Sequence, residues 1–288
     1  MAKSFATPAA FRTSLEARLK LLAAQRNTPL NSLRLKLVME RLLARLFALP
    51  NPPWLLKGGY AMELRYRPRA RTTRDIDLSC LTSGEAELAV RLQAFREQLQ
   101  NVAAIDLGDH LTFLIEAPTA ELEGAPQGGA RFSCEAHLAG KIYGRFHIDL
   151  GFGDEMGIQP ETLIGDDLLS FAGIAPCRIL AISKAQQFAE KLHAYTFPWT
   201  DRTNTRTKDM VDLVLLIETA GVTPAEAASA IEATFQRRQT HEIPAVLHGP
   251  PPAWANEFSS LATEAKLKAS TLVSAFDTLR TFWQQIPF

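Results

Sequence analysis

Residues 54–80, WLLKGGYAMELRYRPRARTTRDIDLSC, carry the reading of this chain. A short apolar run, Trp54 to Leu56, enters a Gly58-Gly59 turn, and YAMELRY (60–66) then begins a helix. After an arginine-rich spacer the period changes, and DIDLSC (75–80) alternates as a strand does. Asp75 and Asp77 stand at i and i+2, so both carboxylates project from one face while Ile76 and Leu78 face a core. Two convergent carboxylates suit Mg²⁺, which takes hard oxygen ligands and keeps coordination positions for water and phosphate oxygens. A pair of such ions can activate an attacking hydroxyl and stabilise a pyrophosphate leaving group. A lone D-x-D is more often structural, so its neighbours decide what it means.

Three neighbours bear on it. The Gly58-Gly59 turn lies between an apolar run and a helix, where glycine lets backbone approach a phosphate and a helix N-terminus offers free N–H groups. Asp149 lies in RFHIDLGF (145–152), with His147 and Gly151 on its face and Phe146, Ile148 and Leu150 on the other. An acid on a half-buried strand is costly unless paired or metal-bound, which makes Asp149 a candidate third ligand or a base for the attacking hydroxyl. Lys191 lies in AEKLHAY, and Asp209 and Asp212, three apart in TKDMVDL, share a helix face. A lysine ammonium there would offset triphosphate charge.

The rest of the chain sets the frame. Helices are expected over 8–25 with Thr7 as cap, over 31–48 with Asn31 as cap, and over 84–100. Strands are expected at 110–116, 130–138 and 145–152, the last two as a hairpin turning near Gly140 and Gly144, and DLGFGDE closes the sheet region with turn residues. From about 166 strand signals stop. Helices follow at 183–196 with Ser183 as cap, at 207–220, at 224–237 and within 256–285, with a Pro-rich connection at 241–254. The layout predicts an α+β fold: an αβ domain with N-terminal helices over 1–165, then a helical domain over 166–288 carrying Lys191 and Asp209.

With 31 basic and 31 acidic side chains, no whole-protein basic field exists to draw in nucleic acid. Arg65, Arg67, Arg69, Arg71 and Arg74 nevertheless form a local cluster, read as candidates for a triphosphate or an RNA backbone. Cys80, Cys134 and Cys177 are odd in number and lack CxxC spacing, which argues against a disulfide framework or a zinc site and fits a reducing cytoplasm. No apolar h-region opens the chain, and no stretch reaches the length of a membrane span. A monomer is expected, because no exposed heptad is evident.

Gly-Gly, then Asp-x-Asp on a strand, then a third Asp on a later strand resembles the polymerase-β-like nucleotidyltransferase superfamily. More narrowly, the chain resembles the AbiEii toxin family, which includes the MenT toxins of type IV toxin–antitoxin systems. LKGGYAMELRY with Lys57, Gly58 and Gly59 is similar to its first motif, and RTTRDIDL with Arg71, Thr73, Arg74, Asp75 and Asp77 to its second. AEKLHA around Lys191 is similar to the third, RTKDMVDL around Asp209 to the fourth, and PPPAWANEF to its late Trp-bearing stretch. Fifteen residues lie between Gly59 and Asp75, more than in the broad superfamily, though the narrower family tolerates the longer spacer.

The resemblance implies a toxin that moves a nucleoside monophosphate from an NTP to an acceptor. For MenT-like members that acceptor is the tRNA 3′ end, whose modification stops translation; an AbiEi-like winged-helix antitoxin and a setting in phage defence are also implied. Asp75, Asp77 and Asp149 would hold Mg²⁺, with Mn²⁺ as substitute. Lys57, Gly58, Gly59, Arg71, Thr73, Arg74 and Lys191 would bind the nucleotide. Asp209 would position Lys191 or act as a base. Two other readings stay open: the same enzyme class acting on a small molecule or a protein hydroxyl, and a non-catalytic protein that binds NTP or antitoxin.

Overall fold

A computed structural model describes residues 5–81, 86–122, 125–153, 159–200 and 203–288. The chain divides into two compact units. Unit 1 comprises residues 1–56, 74–153 and 162–180, and unit 2 comprises 57–73, 154–161 and 181–288.

In chain order the described elements are α1 (Pro8–Arg26), α2 (Leu30–Leu46), β1 (Trp54–Lys57), α3 (Gly58–Tyr66), β2 (Asp75–Cys80), α4 (Leu88–Ala103), β3 (Leu111–Glu121), β4 (Gly129–Leu138) and β5 (Lys141–Phe152). There follow β6 (Glu161–Ile164), β7 (Arg178–Ala181), α5 (Lys184–Thr196), α6 (Thr207–Glu218), α7 (Pro224–Arg238), α8 (Ala255–Glu264) and α9 (Leu272–Trp283). Seven strands form one mixed sheet in the order β3-β4-β5-β2-β1-β7-β6. The β3-β4-β5 meander is antiparallel, while β2 runs parallel to β5. The parallel pair lies inside the sheet, and β1 beside it has Trp54, Leu55 and Leu56 all buried, as expected of a strand covered on both faces. Among the described residues no helix is long and apolar enough to cross a membrane.

Unit 1 buries Phe11, Leu15 and Leu19 of α1, the inner face of α2 and the core-facing residues of the strands. Arg41 and Arg45, one turn apart on α2, both bond the fully buried Asp109 just before β3, at 2.6 and 2.7 Å. Burial pushes the Asp109 carboxyl upward, but the two guanidinium groups outweigh it and hold it below the ordinary range. Unit 2 has a core of its own, built by α5 to α9 around Phe188, Leu192, Leu213, Leu216, Phe258 and Leu279. Its helices start where their caps dictate. Ser183 accepts from the Gln186 N–H at the head of α5, and Thr223 with Glu226 forms a capping box on α7.

Two expectations need correction. Asn31 does not cap α2: Pro29 occupies the cap position, where a missing N–H costs nothing, the helix starts at Leu30, and Asn31 Oδ1 accepts instead from Arg34. Strands also do not stop near residue 166, since β7 joins the sheet beside β1 from only four residues, RILA. The expected helix over 84–100 is α4, beginning at Leu88; residues 84 and 85, and the end of the DLGFGDE turn, lie outside the described residues.

Candidate active site

The carboxylates of unit 1 sit where β2 meets β5. Ile76 and Leu78 are fully buried, while Asp75 and Asp77 on the opposite face are partly exposed. The parallel register sets Asp75 opposite His147 and Asp77 opposite Asp149. His147 Nδ1 is 3.5 Å from Asp75 Oδ1, both side chains being open to solvent. The antiparallel pairing of β4 with β5 extends each row by one residue, placing Arg131 opposite Asp149 and Ser133 opposite His147. Arg131-Asp149-Asp77 is therefore one row across three neighbouring strands.

Arg131 closes over Asp149 as a fork. Its Nε and Nη2 donate to the two carboxylate oxygens, each at 2.7 Å. That bond, with smaller attraction from Asp149, Asp75 and Asp77, holds the guanidinium well above its ordinary value. A cleft of about 790 Å³ opens beside Asp75, lined among others by Arg74, Arg131, Arg145 and His147. Arg145 is paired with Glu135 at 2.7 Å, whereas Arg74 is exposed and has no hydrogen-bond or ion-pair partner among the described residues.

Unit 2 holds the other candidate residues. Gly58 opens α3 at φ 65, a left-handed conformation that favours glycine, and its carbonyl accepts from Gln187 Nε2 at 3.2 Å. A Cβ on Gly59 would lie 2.8 Å from Thr73 Oγ1 and 2.9 Å from Arg71 Nη2, so any larger residue there requires those side chains to shift. Thr73 Oγ1 is itself buried without a hydrogen-bond partner among the described residues, while the Thr73 N–H donates to Glu63 at 3.0 Å. Lys57 Nζ lies 3.5 Å from Glu190.

Next in this unit is a chain of charges. Lys191 bonds Asp209 at 2.9 Å and Asp212 at 2.7 Å, Arg71 reaches Asp212 at 3.1 Å, and Arg206 lies 3.6 Å from Asp209. Asp212 is fully buried and Lys191 nearly so. Desolvation alone would lower the lysine, but the two carboxylates outweigh it and raise its ammonium above the ordinary 10.5. Desolvation likewise pushes Asp209 up, and Lys191 with Arg206 pulls it below 3.8. Three cations, Lys191, Arg71 and Arg206, thus meet at two carboxylates, and Arg71 also lies beside the start of α3 and the buried Thr73 hydroxyl. Such an arrangement receives an anion.

The sequence-predicted residues thus fall into two groups: Asp75, Asp77, Asp149 and Arg74 in unit 1, and Lys57, Gly58, Gly59, Arg71, Thr73, Lys191 and Asp209 in unit 2. Sequence reasoning missed Arg131, and it missed Arg206, which the i, i+3 spacing to Asp209 could have flagged. The arginine cluster was read too broadly. Arg65 bonds Glu161, Gln187 and the Ile182 carbonyl, Arg67 bonds the Leu64 carbonyl, and Arg69 bonds Glu218, so these side chains hold structure.

The donor chemistry of Asp75 and Asp77 fits a divalent cation: hard oxygens, on one face, reachable from solvent. Among the described residues no group of three or more His, Cys, Asp or Glu side chains is gathered to hold a metal, and Asp149 has both oxygens engaged by Arg131.

The family described as nucleotidyl transferase AbiEii toxin, type IV toxin–antitoxin system, matches residues 41–281. Among solved structures, the MenT4 nucleotidyltransferase toxin of Mycobacterium tuberculosis H37Rv is similar in fold, with a TM-score of 0.60 at 13% identity over 94% of this chain and 89% of that one. JHP933 of Helicobacter pylori aligns with a TM-score of 0.47 at 14% identity, over 88% of this chain and 94% of its own. Among curated proteins none matches the chain significantly.

Proposed function

The chain belongs to the AbiEii family of nucleotidyl transferase toxins from type IV toxin–antitoxin systems, and from this membership we propose that it transfers a nucleoside monophosphate from an NTP to the 3′ end of tRNA, blocking translation. The family makes it a nucleotidyltransferase and implies an NTP substrate and an antitoxin partner. The observation that carries the proposal is the pair Asp75 and Asp77, side by side on the open face of β2.

In the reaction, the acceptor hydroxyl oxygen attacks the α-phosphorus and its proton passes to solvent, the bond to the bridging oxygen breaks, and pyrophosphate leaves. Asp75 and Asp77 would hold Mg²⁺ or Mn²⁺, with Asp149 beside Asp77 in the same row. Bound there, such a cation would supply positive charge to the phosphate oxygens and make the acceptor hydroxyl more acidic. Gly58 and Gly59 admit the triphosphate against the start of α3, with the Thr73 hydroxyl as a donor. Lys57, Arg71 and Lys191 offset its charge, and Arg74 meets the acceptor or the leaving group. Asp209 fixes the Lys191 ammonium through their 2.9 Å bond, so that the charge is already oriented when substrate arrives. The protein is proposed to act as a cytoplasmic monomer until bound by an AbiEi-like antitoxin.

One observation favours a second acceptor class. The cleft beside Asp75 is lined by Arg74, Arg131 and Arg145 against Asp75, Glu116 and Glu135, a balance of charge that suits a small molecule or a protein hydroxyl as well as RNA. The test is transfer of label from each α-³²P-NTP in turn, with Mg²⁺ and total bacterial RNA, and Asp77→Ala as control. Label on tRNA-sized bands that disappears in the variant is the expected result. Label on other acceptors alone moves the proposal to the second class, and no transfer to any acceptor overturns it.

A further inference from the structure

We propose that Arg131 keeps Asp149 out of metal ligation, so that the acidic row of β2 and β5 takes one divalent cation, on Asp75 and Asp77, and the guanidinium supplies the charge that a second cation would bring. This inference rests on the reading of Asp75 and Asp77 as a cation site.

A carboxylate whose two oxygens each accept a charge-assisted bond at 2.7 Å has its best lone pairs committed. The fork is planar and always protonated, so it cannot give way by losing a proton. Asp149 is mostly covered, with its side chain 14% exposed, whereas that of Arg131 is 39% exposed, so the arginine lies on the solvent side of the acid. A cation entering from solvent meets that like charge before it reaches Asp149. Register fixes the partner: Arg131 and Asp149 face each other across an uninterrupted stretch of the β4-β5 ladder, and Asp77 is the next residue in the row. Strand neighbours are about 4.8 Å apart, so Arg131 stands about two spacings from Asp77 and adds its field to the whole row. Among the described residues no such fork covers Asp75, whose neighbour His147 is 3.5 Å away and about as open.

The experiment counts bound Mn²⁺ on the full chain, by electron paramagnetic resonance of free ion and by calorimetry, without nucleotide. The unaltered protein is expected to bind one Mn²⁺. Arg131→Met is expected to gain a second ion, or to bind the first at least tenfold more tightly. Adding Asp149→Asn to Arg131→Met should return binding to that of the unaltered protein. Arg131→Lys, which keeps a charge but loses the fork, should fall between them, and it decides the matter if Arg131→Met does not give a cooperative melting curve. Two ions in the unaltered protein, or unmoved binding in a folded Arg131 variant, overturns the inference. Asp75→Asn separates the two levels. If it abolishes Mn²⁺ binding while the Arg131 variants change nothing, only the role of Arg131 fails. If Mn²⁺ binding survives Asp75→Asn, the cation site and the inference fall together.

Discussion

Both units gather carboxylates and cations, yet they do so under opposite conditions. In unit 1, Asp75 is open to solvent and Asp77 beside it is partly exposed, with one arginine over their neighbour Asp149. In unit 2, Asp212 is fully buried, and Lys191, Asp209, Arg71 and Arg206 are linked to it in a continuous chain. Charges that stay hydrated cost little to the fold and remain available to exchange partners. Charges withdrawn from water must satisfy one another, and they gain a fixed orientation in return. The first arrangement suits a ligand that comes and goes, and the second suits a field that must stand ready.

The contrast is broken most directly at Lys191. Lys191→Met leaves Asp209 and Asp212 short of a buried counter-charge, and a loss of about 3–5 kcal/mol is expected in denaturant unfolding, together with loss of transfer activity. The same cluster sets a pH dependence. Asp209 is depressed below 3.8, so its contribution is present above that pH and is lost as pH falls through the lowered value. Lys191 is raised above 10.5, so its contribution is complete below that pH and is lost as pH rises through the raised value. Melting temperatures should thus stay level between these limits, and the gap between unaltered protein and Lys191→Met should narrow above pH 10.5.

Asp77→Ala should do the reverse. Transfer is expected to fall by on the order of 10³-fold or more, while stability falls by less than in Lys191→Met, because Asp77 is only partly buried. Equal destabilisation by Asp77→Ala and Lys191→Met would erase the distinction between the units. Gly59→Ala gives a smaller effect. In an open helix the change would stabilise, but here the new methyl meets Thr73 and Arg71, and a loss of about 1–2 kcal/mol with weaker NTP binding is expected. Retained melting temperature and NTP affinity would show that the pocket relaxes. Arg74→Ala is the mildest: unchanged stability, a few-fold rise in KM for an RNA acceptor, and a salt dependence shallower by about 0.7 per lost phosphate contact. An unaltered salt slope would take Arg74 off the acceptor path.

Much of this was legible where local signals sufficed. Alternation in DIDLSC placed Asp75 and Asp77 on one face, and Ser183 marked the start of the helix that carries Lys191. The three-residue spacing of Asp209 and Asp212 predicted a shared face, and both do reach Lys191. What stayed hidden depends on distant pairing. β7 is too short for any period to show, and only its neighbours in the sheet make RILA a strand. Arg71 and Asp212 are brought together by tertiary folding, which neither segment signals alone. Arg131 was within reach, since it and Asp149 each lie nine residues from Gly140, and folding the hairpin about that turn would have paired them.

The register of β2 against β5 has a consequence for how the protein is made. A slip of one residue would drive Asp75 and Asp77 into the core and turn Ile76 and Leu78 out to water. A misregistered chain would therefore lose its chemistry and its solubility in one step, presenting itself to chaperones and proteases. The pattern that builds the carboxylate pair also proofreads it. A cell making this enzyme holds copies that are competent or copies marked for removal, with little between.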